Sequence, residues 1–113
     1  MILPGSSKVY IAIGHTDMRK SINGLCHLVA DNFESDLFSG NLFAFCNRRR
    51  DIIKILFWDK NGFCIWYKRL EKDRFFWPES ELEVVDINSS QMSWLLAGLD
   101  IGKAHKKLSY NSI

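Results

Sequence analysis

The sequence predicts an α+β fold: a single domain with a largely antiparallel sheet of about five strands, one helix over about residues 17–34 and a second over about 89–99. Three observations predict it. Short runs rich in β-branched and aromatic residues are joined by turns too short to carry the crossover that parallel neighbours need. The spacing of apolar residues lengthens to three or four from Asp17 onward and again after Ser89, the period of a helix face. The order is strand, helix, several strands and helix, not the regular alternation of a doubly wound sheet.

The first strand is read in "KVYIAIG", Lys8 to Gly14, short, β-branched and closed by glycine. Met18, Ile22, Leu25, Val29 and Phe33 then share one helical face, and Thr16 or Asp17 can cap the start by accepting a backbone N–H. Gly24 inside this helix costs about 1 kcal/mol relative to alanine, which makes sense where something packs closely on the helix. "SDLFSG" supplies turn residues before a second strand, "NLFAFCN". "DIIKILFW", Asp51 to Trp58, is apolar except at Lys54 and reads as a central strand covered on both faces. Asn61-Gly62 in "DKNG" signals a hairpin, and "FCIWYKRL" returns as the partner strand. "RFFWP" reads as a short strand ended by Pro78, and "LEVVDI" as one more. "SSQMSWLLAGLD" gives the last helix, capped by Ser89 or Ser90. Residues 1–100 form the domain, and 101–113 read as a basic, flexible tail.

A chain of 113 residues buries one core. It contains no apolar run of the roughly 20 residues that span a membrane, and its start lacks the features of a signal peptide, so the reading is a cytoplasmic protein without membrane contact. Cys26, Cys46 and Cys64 show no C-x-x-C spacing, so they are read as small hydrophobes with neither a disulfide framework nor a zinc site.

Catalysis is disfavoured. His15, His27 and His105 have no second ligand at metal spacing, and no glycine-rich phosphate loop is present. Asp17, Asp51 and Asp59 are imaginable as nuclease metal ligands, but Asp17 suits a helix start and Asp59 a turn. No cofactor or metal is expected.

The charge pattern is more informative. The net charge is only +2, yet residues 47–78 carry nine basic and four acidic groups, while 79–100 carry no basic and five acidic ones. If Asp51 to Trp58 pairs with Phe63 to Leu70, Asp51 lies near Leu70. Arg48, Arg49 and Arg50 then meet Lys68, Arg69, Lys72 and Arg74 at one end of the hairpin. Such a cluster attracts phosphate, and guanidinium groups suit bidentate phosphate contact. Trp66, Tyr67 and Trp77 can stack on bases where exposed, although large rings in strands usually pack inward. An ordinary solvated face and a surface for an acidic protein partner remain alternative readings of the same cations.

The motifs "TDMRK…GL", "FSG.LF.F", "RR.D.IK.L.WD..G" and "YKRLE..RF.WP", in this order over about Val9 to Asp100, resemble the Orf2-like accessory proteins, of TnpB type, of the insertion sequence 66 family of bacterial transposable elements. The matching positions include Asp17, Met18, Arg19, Lys20, Gly24, Arg48, Arg49, Asp51, Lys54, Asp59, Gly62, Trp77 and Pro78. The departures are a polar "SING" and a tail without the tryptophan often found there. The resemblance implies a non-enzymatic accessory protein for DNA transposition. Its partners would be a separate transposase of the same element and DNA, either terminal repeats or target, with a homo-oligomer as a further option. Arg48, Arg49, Arg50, Lys54, Lys68, Arg69, Lys72 and Arg74 are then the expected DNA contacts, with Arg19 and Lys20 joining. The alternatives are a protein–protein adaptor or oligomerisation module without DNA contact and, behind it, a cryptic metal-dependent nuclease.

Overall fold

The structure is a computed structural model that describes residues 8–33 and 36–79. The expected strand "LEVVDI", the helix at 89–99 and the tail at 101–113 lie outside the described residues.

Four strands, β1 (Val9–Ile11), β2 (Leu42–Cys46), β3 (Ile52–Asp59) and β4 (Gly62–Arg69), form one sheet in the order β1-β2-β3-β4, with helix α1 (Ile22–Asn32) between the first two. β2, β3 and β4 are antiparallel, whereas β1 pairs with β2 in parallel. The described sheet is largely antiparallel, as expected, but mixed, because the β1–β2 pair is parallel. The physical reason is the connection, since α1 and its flanking loops are long enough to return the chain to the same end of the sheet.

Strand pleating sends alternate residues to opposite faces, and each face has its own core. On the face away from α1, Ile11, Leu42, Ala44, Cys46, Ile53 and Ile55 are buried together with Phe75 and Trp77. On the helix face, Phe43, Phe45 and Leu56 pack against Leu25 and Val29 of α1. β2 is buried at every position because it lies inside the sheet with both faces covered. Tyr10, Phe33 and Phe43 form a ring cluster here with centroids 5.5–5.9 Å apart.

Three further expectations shift. The helix begins at Ile22 with Ser21 as its N-cap residue, not near Asp17. Residues 17–20 make a turn instead, because the Asp17 carboxylate accepts the Arg19 N–H at 2.9 Å and its carbonyl accepts the Lys20 N–H at 3.2 Å. The hairpin turns one residue earlier than Asn61-Gly62 suggests: Gly62 already pairs with Asp59, and the positive φ, +49°, falls on Lys60. The strand register is nevertheless the expected one, with Trp58 opposite Phe63 and Ile52 opposite Arg69, so only the turn residues shift.

"RFFWP" is extended chain, not a strand. It runs across the sheet end as a strap, with the Phe75 N–H donating to Arg50 O at 2.7 Å, Trp77 Nε1–H to Ala12 O at 2.9 Å, and the Gly14 N–H to Pro78 O at 3.0 Å. Pro78, lacking an N–H, suits a strap end better than a ladder.

Candidate nucleic-acid interface

The Arg48–Arg50 turn follows from the geometry of the β2–β3 connection. Cys46 pairs with Ile53, and the Asn47 N–H donates to Ile52 O at 3.1 Å, leaving residues 48–51 to reverse the chain. The Arg50 N–H closes a turn onto Asn47 O at 3.1 Å, and Arg50 itself takes φ +62°. That conformation is costly for a side chain with a Cβ, and the Asn47 side chain supports it from within. Its oxygen accepts the N–H groups of Asp51 and Ile52, both at 3.0 Å, and its amide donates to Asp51 Oδ1 at 2.6 Å.

The second turn follows β4. Ile52 pairs with Arg69, and the Leu70 N–H donates to Asp51 O at 2.7 Å, so the chain after Leu70 leaves the sheet beside the Arg48–Arg50 turn. The Phe75–Arg50 backbone bond then ties the two turns together. Between them lies a concavity of about 920 Å³ lined by residues 48–51 and 70–76. The two basic clusters therefore arrive at one end, as the hairpin register requires.

The cations there are not equivalent. Arg48, Arg49, Lys72 and Arg74 are exposed and line the concavity, and among the described residues they have no ion-pair partner. Arg50 pairs with Glu79, the first residue of the acidic stretch. Arg69 donates to Glu71 Oε1 through Nη2 at 2.9 Å, and this bond to the carboxylate raises the guanidinium pKa. Lys68 lies opposite Ile53 and is half-buried on the face away from α1.

Arg19 and Lys20 reach the same end of the sheet by a route the sequence did not reveal. Because β1 runs parallel to β2, the loop after β1 emerges beside the Arg48–Arg50 turn, and the Thr16 N–H donates to Cys46 O at 2.7 Å. These two residues sit outside the concavity. Arg19 forms a bidentate pair with Asp17, and this hydrogen bonding holds the Asp17 carboxyl well below the usual carboxylate range. Lys54, in contrast, points to the helix face and donates to Met18 O and Lys20 O at 2.8 and 3.0 Å, so its ammonium secures the 17–20 turn and is not among the cations of the concavity.

The aromatic candidates also separate. Trp77 is buried, Trp66 is half-buried and Tyr67 is half-exposed. Phe76 was not singled out by sequence reasoning, yet it is 49% exposed and lines the concavity. The signal was present in the alternation of "FFW": if Phe75 and Trp77 face inward from extended chain, Phe76 faces out.

The imagined carboxylate set does not assemble. Asp17 is engaged by Arg19 and Asp51 by Asn47, while Asp51 and Asp59 sit at opposite ends of β3, roughly 25 Å apart at the rise of a strand. Among the described residues no group of three or more His, Cys, Asp or Glu is placed to hold a metal ion. No helix among the described residues is long and apolar enough to cross a membrane. The cysteines are unpaired, and burial pushes the Cys46 thiol up to about 12.

Comparison with known proteins agrees with the motif pattern. The family described as IS66 Orf2 like protein matches residues 7–106. The uncharacterised protein y4hO of Sinorhizobium fredii (strain NBRC 101917 / NGR234) is 39% identical over 93 residues, covering 82% of this chain and 81% of that one. The uncharacterised protein y4jC of the same strain is 29% identical over 100 residues, covering 88% and 86%. No solved structure matches. The length of the family match and the 39% identity to y4hO place the chain in the IS66 Orf2-like family, to which it belongs.

Proposed function

We propose that this protein is a non-catalytic accessory factor for transposition of an insertion sequence, acting beside the element's own transposase and contacting DNA through phosphate. The observation that carries the reading is the meeting of two turns at one sheet end, with Arg48, Arg49, Lys72 and Arg74 exposed around one concavity. The concavity is lined by Arg48, Arg49, Arg50, Lys72 and Arg74 against Asp51, Glu71 and Asp73, so the positive charge prevails locally. Three of the four exposed cations are guanidinium groups, which bind phosphate oxygens in pairs. Lys20, at the same end, extends the surface beyond the concavity, whereas Arg19 is held by the Asp17 carboxylate. Arg50 and Arg69 likewise already hold carboxylates, and of the two only Arg50 lines the concavity.

Fluorescence anisotropy with labelled terminal-repeat DNA tests the reading. Micromolar or tighter binding at low salt is expected, together with a marked loss when Arg48, Arg49 and Arg50 are replaced by alanine. Absence of binding at low salt, or an affinity indifferent to that replacement, would remove DNA from the account and leave the protein-adaptor reading. Contact with the transposase is measured separately, by co-purification in nuclease-treated extracts.

A further inference from the structure

We infer that the concavity receives single-stranded DNA, with Phe76 as the platform on which an unpaired base stacks; the inference rests on the DNA-binding reading above. Phe75 and Trp77 are 1% and 4% exposed, whereas Phe76 between them is 49% exposed. The ring is therefore presented by a backbone whose two neighbours are anchored in the core. The bonds from Phe75 N–H to Arg50 O and from Trp77 Nε1–H to Ala12 O fix that backbone on either side. Alternation along the strap turns the ring outward, but it does not require that cations surround it.

Nucleic acid supplies a reason. Phe76, Arg48, Arg49, Lys72 and Arg74 all line the same concavity, so an aromatic face and phosphate-binding groups occur together. A duplex offers phosphates to such a site but keeps its base faces stacked inside. A single strand offers both, and an aromatic ring within a basic groove is the combination that binds single strands without regard to sequence. The ring is pre-organised, so little conformational freedom is lost on stacking.

The test compares a labelled single-stranded oligonucleotide with a hairpin duplex of the same sequence, at several salt concentrations. The proteins are the full chain and its Phe76→Ala, Phe76→Trp and Arg48→Ala/Arg49→Ala/Arg50→Ala variants. The single strand is expected to bind tighter than the duplex. Phe76→Ala is expected to weaken single-strand binding roughly 10-fold, within the range one base–aromatic stack supplies, with the salt slope and duplex binding unchanged. Phe76→Trp is expected to restore the affinity, whereas the arginine variant weakens both ligands.

Equal affinity for both ligands, with Phe76→Ala silent and the arginine variant still impaired, overturns the stacking inference and leaves the phosphate-binding reading standing. Failure of Phe76→Trp to restore binding also overturns it, because the contact would then not be a stack. Absence of binding to either ligand overturns both readings. Phe76 is exposed, so thermal unfolding of the variants should match that of the parent chain.

Discussion

The Lys54 ammonium donates to two carbonyl oxygens of the 17–20 turn, and the stem of Lys20 in that turn packs on α1 where Gly24 lacks a side chain. A Cβ at Gly24 would lie 3.1 Å from Lys20 Cβ, closer than ordinary contact allows, so this glycine is matched to its neighbour. Gly24→Ala should therefore gain less than the about 1 kcal/mol that helix propensity alone offers, as read by urea unfolding. Lys54→Met should lose about 2 kcal/mol, the scale of hydrogen bonds from a charged donor, while leaving the salt dependence of DNA binding unchanged. Cys46 gives a pH prediction. Its thiol pKa is raised by burial from 9.0 to about 12, so its contribution to stability is complete below pH 9 and is lost as pH rises toward 12. At pH 8 an alkylating reagent followed by mass spectrometry should modify Cys46 only after unfolding, whereas the half-buried Cys26 and Cys64 should react sooner. Sequence reasoning found Lys54 and Gly24 as motif positions but not their task, because a bond between residues 54 and 18 leaves no mark on local spacing.

At the scale of elements, the strap at residues 74–79 is as important as any strand. It covers one face of the sheet with Phe75 and Trp77 and ties the two basic turns together through Arg50 O. Trp77→Phe keeps most of the apolar contact but leaves Ala12 O without its indole donor, and should cost about 1–2 kcal/mol in chemical denaturation. Strands β2, β3 and β4 were legible because apolar alternation and short turns are local signals, and the β3–β4 register followed from them. The strap was not. "RFFWP" has strand composition, and only its position across the strand ends, with hydrogen bonds to residues 12, 14 and 50, separates it from a ladder. The start of α1 was misplaced for a similar reason: Met18 fits the helical period, but the Asp17 side chain competes for backbone N–H groups and makes a turn.

For the whole molecule, one parallel strand pair decides how the charges assemble. The β1–β2 pairing brings the loop with Arg19 and Lys20 to the end where the Arg48–Arg50 and Lys72–Arg74 turns meet, while the hairpin tip at Lys60 lies at the other end. The convergence of the last two clusters could be read from the hairpin, but the arrival of the first depends on a pairing 33 residues apart, for which the sequence carries no register signal. The account's central claim is that the two turns form one phosphate-binding surface. The salt dependence of DNA affinity, measured for the parent chain and for alanine variants at Arg48, Arg49, Lys72 and Arg74, tests it most directly. The slope of log affinity against log salt should fall by up to roughly 0.9 for each duplex phosphate contact removed, and by comparable steps for replacements in either turn. A slope that responds to one turn only, or to neither, would contradict the claim.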